Sequence, residues 1–419
     1  MTISPPSTLS AFFAASLVGV VLFLSPAKAA PPIANPYIIK PTQSFANYVA
    51  SLWPLAREQG VSRRTFDVAF KGVTFDPRIV AHTNTQAEFV KPIWEYLSSA
   101  VSASRIERGR AKATSQTRWL KKARDDYGVD ESIIMGIWGM ETEFGSFAGS
   151  DNVIRALASL AYVHYRGDYF RDELLAALSI LEDGDIKPRE MVGSWAGAMG
   201  QTQFMPSSFR QFAIDFDGGG RRDIWSNPAD AIGSTANYLA KHGWIPGLPW
   251  GFEVELPGGF ALSAKDSSIF VPFAEFEKRG VKRANGGAFP PKGEAQLLIP
   301  AGLKGPIFLI TGNFKTIKSY NNSTSYALGV ALLGDAIIDK SELRAMWPVH
   351  DHFLSLAEVK DLQTVLQKKG YDVGEIDGQV GETLRAAVRA YQEKKGEAPD
   401  GYPDLALLRE VKGPRQRPH

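Results

Sequence analysis

From Ser44 to about Gly243, apolar residues recur three and four positions apart, as in Phe45, Val49 and Leu52 and later in Leu174, Leu175, Leu178 and Leu181. That spacing keeps them on one face of a helix, so this stretch is expected to be mostly helical. From about Pro249 to Phe314 the pattern shortens to alternating or β-rich runs, Phe252 to Leu256, Gln296 to Ile299 and Ile307 to Ile310, separated by Pro and Gly pairs. A small β-containing insertion, about 249–316, is expected there. Tyr326 to Ile338 returns to a helical pattern, and residues 346–354 read as a linker. Residues 355–411 have a pattern of their own: Val359, Leu362 and Leu366 stripe one helix and Leu384, Val388 and Tyr391 a second. The turns around them carry Gly370, Gly378, Gly381 and Gly401, and no tandem repeat or low-complexity tract interrupts the chain.

The 419 residues carry 47 Lys plus Arg against 45 Asp plus Glu, with 44% hydrophobic residues, which describes a folding chain of two or three domains. A net charge of +2 without a basic block argues against a nucleic-acid partner. With no Cys there is no disulfide, thiolate nucleophile or lipid-modified N-terminal Cys. Ala11 to Leu24 is an uncharged apolar run followed by Ser25-Pro26 and Ala27-Lys28-Ala29, which fits signal-peptidase cleavage after Ala29. The run is shorter than the ~20 residues that span a bilayer, although residues 1–10 lack the usual basic flank, and an uncleaved anchor is the alternative. Cleavage would leave an exported periplasmic protein with no membrane-spanning segment.

Asp130 to Gly145 is the stretch richest in chemistry. Asp130 suits a helix N-cap and Gly145 a C-terminal cap, so a helix of about twelve residues is expected between them. Ile133, Ile137 and Glu141 lie four apart on one face, with Ile134 and Trp138 beside them. A carboxyl group thus ends an apolar stripe at the negative end of a helix dipole, where both effects favour its protonated form and a general-acid role. Glu143 points about 200° away, into different surroundings. An ion-paired carboxylate at a helix end would satisfy the same spacing.

Four segments in order, Glu141 to Gly145, Gly193 to Ser208, Asp230 to Tyr238 and Tyr320 to Tyr326, resemble the B-type lytic murein transglycosylases across about residues 40–345. The resemblance implies a mainly α protein with a lysozyme-like helical catalytic core, an α-domain and a small β insertion. Residues 355–411, with their ordered glycine turns, resemble the peptidoglycan-binding module attached to many cell-wall enzymes and imply a small three-helix domain. The implied activity is cleavage of the β-1,4 bond between N-acetylmuramic acid and N-acetylglucosamine, leaving 1,6-anhydromuramoyl ends. The implied partner is the peptidoglycan glycan strand, while protein partners among cell-wall synthesis or division factors stay open.

In that family the Glu of the first motif is the sole acid and base, which assigns the role to Glu141. Ser194 and Gln203 match positions that hold the acetamido group and saccharide, and Tyr320 and Asn321 match a pair beside the acid. Phe204, Met205, Tyr238, Tyr326 and Tyr96 would line the glycan groove, with core packing the alternative for Phe204 and Met205. Asp215 to Asp223 resembles a calcium-carrying loop of some members, with Asp215, Asp217 and Asp230 as ligands. Gly219 stands where a further acidic ligand belongs and Arg221 adds positive charge, so a glycine turn closed by Asp side chains fits better and no cofactor is required. His82, His164, His242, His350, His352 and His419 are too scattered for catalytic zinc. A muramidase using water, or a wall-binding scaffold without activity, is the rival reading.

Overall fold

The computed structural model describes residues 38–39, 41–84 and 91–413. The expected export segment, residues 1–29, and His419 lie outside the described residues.

Helices dominate, and short polar residues start them: the side chains of Ser44, Ser62 and Asp76 accept the backbone N–H of Asn47, Thr65 and Arg78. At the centre, helix Glu131–Thr142 packs along helix Thr324–Ile338. Both are apolar all round, as a helix buried on every side must be. They approach at glycines: a Cβ on Gly136 would strike the carbonyl oxygen of Val330, and one on Gly334 that of Ser132. Only side-chain-free positions allow this contact, and it sets the distance between whatever the two helices carry.

Within Glu131–Thr142 every residue is buried except Glu131 and Glu141. The helix stops at Thr142, short of the glycine expected to cap it, because Glu143 and Phe144 already take left-handed backbone angles, φ 50° and 59°, before Gly145 at 85°. Asp130 occupies the N-cap position without a side-chain capping bond.

Between Trp250 and Ile310 the chain forms a five-stranded antiparallel sheet in the order Val271–Pro272, Glu294–Leu298, Ile307–Ile310, Gly251–Glu255, Lys282–Arg283. Phe252 and Leu297 both face Leu309, and with Phe273 and Phe276 they build a separate core. The first long strand ends at Glu255, one residue before the expected Leu256, where Pro257 cannot donate to a ladder. A two-residue pairing of Asp151–Asn152 with Val192–Gly193 has no periodicity to betray it in sequence.

The last helices, Leu356–Lys368, Glu382–Lys395 and Leu405–Lys412, close over Leu362, Leu366, Leu384, Val388 and Leu408. A capping box between Ser355 and Glu358 starts the first of them. The unit is tied to the sheet domain by Arg385, which donates to the carbonyl of Pro300 at 3.0 Å, and by Glu393, which accepts the N–H of Ala264 at 2.8 Å.

Candidate active site

The end of helix Glu131–Thr142 is built to hold one carboxylate out and another in. The hydroxyl of Thr142 donates to the Gln201 carbonyl and accepts the N–H of Gly145, each at 3.0 Å, which pins the turn that follows. Glu143 turns back to Arg105 and Arg108, the latter at 2.7 Å. Burial alone would raise its pKa, but the hydrogen bonds and charges of these guanidinium groups outweigh it and hold the carboxyl below the usual range. The strained left-handed angles are thus offset by an ion pair on one side and by the buried ring of Phe144 on the other.

Glu141 is left half-exposed on the final turn. The hydroxyl of Tyr326, a residue 2% exposed, donates to its Oε1 at 2.5 Å. Tyr326, Tyr320 and Tyr96 all have their phenol pKa pushed up, first by burial and then by the charge of Glu141. They therefore remain neutral hydroxyls around the carboxylate at any physiological pH. Tyr320 donates to the Thr202 carbonyl at 2.6 Å, which ties helix Gly312–Tyr320 to the Gly200–Phe204 turn, and Tyr238 of helix Pro228–Lys241 donates to the Ser319 carbonyl at 2.7 Å. Asn321 follows as the C-cap, its Oδ1 accepting the N–H of Ser323.

The Gly193–Ser208 segment folds as a tight double turn in which Met199 N–H donates to the Phe204 carbonyl at 2.8 Å. Ser194 is half-buried, and its hydroxyl accepts the N–H of Ala198 at 3.1 Å. Gln203, at φ 52°, reaches across with its amide to the carbonyls of Ala148 and Gly200, at 3.1 and 2.9 Å. Phe204 is 2% exposed, its ring 5.6 Å from Tyr238 and 5.8 Å from Tyr320, so it packs beneath the tyrosines and offers no open face. Tyr238 is likewise buried and stacked on His242 at 3.9 Å, whereas Met205 and Tyr96 are half-exposed.

A model of the transglycosylase SLT domain matches residues 44–335, and a peptidoglycan-binding domain model matches residues 355–410. The chain belongs to the B-type lytic transglycosylases. This is the family that cleaves peptidoglycan glycan strands. The transglycosylase is similar to SltB3 of Pseudomonas aeruginosa, crystallised with NAG-anhNAM-pentapeptide, at a TM-score of 0.83 and 45% identity, covering 88% of this chain and 100% of that one. It is 38% identical over 230 residues to membrane-bound lytic murein transglycosylase B of Escherichia coli K12, and spans 60% of that protein's length. An Escherichia coli lytic transglycosylase in complex with calcium is also similar, at a TM-score of 0.57 and 27% identity over 74% of this chain and 99% of that one. Among the described residues, no helix of the transglycosylase is long and apolar enough to cross a membrane.

Sequence reasoning missed the residues that hold this site from behind. Trp138 Nε1 donates to Gln201 Oε1 at 3.0 Å, and the Gln201 amide donates to the Trp225 carbonyl at 3.2 Å. Gln201 stands inside the second motif and was legible as polar in an apolar turn. Arg105, 38 positions before Glu143, had no signal, since nothing in the spacing of a solvated-looking helix announces a partner.

Asp215, Asp217 and Asp230 do meet, with ligand atoms within 4.8 Å of one another. Their oxygens already serve as acceptors: Asp215 for Gly219 and Gly220, Asp217 for Gly219 and Asn227, and Asp230 for Phe216 and Asp223. Three carboxylates bring up to about six oxygens toward a calcium shell, and Gly219 adds no side-chain ligand. The loop is closed by its own amides on these three side chains.

Proposed function

We propose that the protein is an exported lytic murein transglycosylase in which Glu141 alone serves as acid and base. The observation that carries this reading is the division of labour at one helix end: Glu143 is locked in an ion pair while Glu141 faces outward among neutral tyrosines. Glu143, the nearest carboxylate in sequence, is held by Arg105 and Arg108, which supports a reaction in which the substrate supplies its own nucleophile.

The sequence of events follows from that. Glu141 donates its proton to the glycosidic oxygen as the bond from C1 of N-acetylmuramic acid breaks, and the sugar's acetamido group supports the positive charge at C1. Glu141, now a carboxylate, takes the proton of the muramoyl O6 hydroxyl while that oxygen bonds to C1. The 1,6-anhydro ring closes without net water, and O6 needs only orientation because it belongs to the same sugar. Tyr326 holds the Glu141 carboxyl in one rotamer through both transfers. Ser194, Gln203 and Asn321 supply the polar groups for the acetamide and hydroxyls, and Met205 and Tyr96 line the groove. Phe204, Tyr238 and Tyr320 set the shape of its floor.

The apolar run Ala11 to Leu24 and the small residues Ala27 and Ala29 support export to the periplasm. Residues 355–411 would retain the enzyme on peptidoglycan. We also propose that calcium is not needed: EDTA should leave activity and melting temperature unchanged, whereas a rise of several degrees in melting temperature with millimolar calcium would refute this.

Digestion of purified sacculi, with released muropeptides read by mass spectrometry, tests the main reading. Anhydro-ended products from the wild type and none from Glu141→Gln are expected. Products heavier by one water would make the protein a muramidase, and tight binding without release would make it a scaffold.

A further inference from the structure

A cavity of about 850 Å³ opens on the far side of helix Thr324–Ile338, between that helix, helix Ile93–Ala100 and the sheet. It is reached from Tyr326 by moving about 13 Å along the helix to Asp335. Its walls include Trp94, Trp250, Phe252 and Trp347, and its polar groups include Arg283 and Asn285. Flat apolar faces with a few polar groups between them are the surface on which sugar rings are held, and the volume lies within the range of small-ligand sites.

The charges say which sugar. Glu253 faces the cavity, but its two oxygens accept the N–H groups of Arg344 and Ala345 at 2.8 and 2.7 Å. Asp335 accepts the indole N–H of Trp250 at 2.9 Å. Arg283 has no such arrangement. Its guanidinium lies 4.1 Å over the Phe252 ring, one nitrogen donates to the Ala288 carbonyl at 3.0 Å, and Nε is buried without an acceptor. No acidic side chain among the described residues pairs with it within 4.0 Å. The rim adds Lys340 and Arg344 against Glu342. Glu253 and Asp335 are satisfied by the chain itself, whereas the Arg283 guanidinium keeps an N–H without an acceptor, so the missing partner is an anion of the planar, two-oxygen kind that a guanidinium holds best.

We propose that this cavity is a second saccharide site, separate from Glu141, for an amino sugar bearing a carboxylate, of the N-acetylmuramic acid type. This rests on the murein reading above, since a muramoyl unit joins a pyranose face to a lactyl carboxylate. A site on the helix that also carries Tyr326 would hold a glycan strand or released fragment whose lactyl carboxylate is free of its stem peptide, while Glu141 acts elsewhere.

The test titrates the full-length protein with N-acetylmuramic acid and, as the carboxylate-free control, N-acetylglucosamine. The tryptophan indole N–H signals are followed by NMR and assigned with Trp94→Phe and Trp347→Phe. N-acetylmuramic acid should shift the Trp94 and Trp347 signals. Arg283→Gln should weaken that event at least tenfold and leave N-acetylglucosamine binding as it was. Trp347→Ala, at the half-buried lip outside the sheet strands, should weaken it as well, and serves if Arg283→Gln melts early. Unmoved Trp94 and Trp347 signals, or equal affinity in a stable Arg283→Gln protein, would overturn the second site. So would an equal loss for both sugars, which would remove the carboxylate from the argument. Sacculus digestion separates the two claims: anhydro products with silent tryptophans would end this inference and leave the catalytic reading intact.

Discussion

Two glutamates two positions apart are given opposite fates by their neighbours. Glu143 faces Arg105, whose side chain is 9% exposed, and Arg108. Removing its charge in Glu143→Gln leaves Arg105 buried without a counter-ion and should cost about 3 kcal/mol, read by denaturant unfolding. Because its folded pKa lies below the ordinary value, its contribution is present above pH ~4.3 and is lost as pH falls further; the wild type should therefore show an acid-induced loss of stability that Glu143→Gln lacks. In the proposed reaction Tyr326, buried and donating to Glu141, acts through that carboxyl and not on the substrate. Tyr326→Phe should lower kcat by about tenfold or more with little change in KM, and should move the pH profile of kcat, a shift that a merely structural residue would not produce.

At the scale of elements, the distance between helices Glu131–Thr142 and Thr324–Ile338 decides whether Tyr326 reaches Glu141. Gly136→Val would push the Val330 carbonyl away and should cost about 1–3 kcal/mol, with activity falling further than stability because the carboxyl loses its hydroxyl partner. The same helix buries Asp335, whose pKa is pushed up to about 7 by desolvation first, offset in part by the hydrogen bond from Trp250 and raised again by Asp339 and Asp130. The sign is opposite to that of Glu143: the unfolded chain releases this proton near pH 4 and the folded one near 7, so the folded state loses stability as pH rises through that window. Asp335→Asn should melt at a higher temperature than the wild type at pH 8 and match it near pH 4, as thermal scans at both pH values would show.

At the scale of the molecule, the C-terminal unit and the sheet domain share a boundary fixed by half-buried Arg385 on the Pro300 carbonyl. Burial lowers the pKa of Arg385, with the charge of Glu382 opposing it, so this group is held against a desolvation cost. Removal of residues 355–419 should cut retention on sacculi severalfold in a pelleting assay while turnover of short soluble glycans persists. Retention equal to that of the intact chain would contradict the wall-binding role.

Much of this was legible in the chain alone. Helical spacing, the shift to short alternating runs near Pro249 and the apolar stripe ending in Glu141 follow from local periodicity, which a sequence states directly. The motifs likewise single out Ser194, Gln203, Tyr320, Asn321 and Tyr326 as site candidates. What only the tertiary structure decided depends on partners far apart in the chain: which glutamate is paired with Arg105, that Phe204 and Tyr238 are buried against other rings, that Gln201 braces Trp138, and that Arg283 is left without an acid. Burial and counter-ions are properties of assembled surfaces, and no spacing along one strand of residues specifies them.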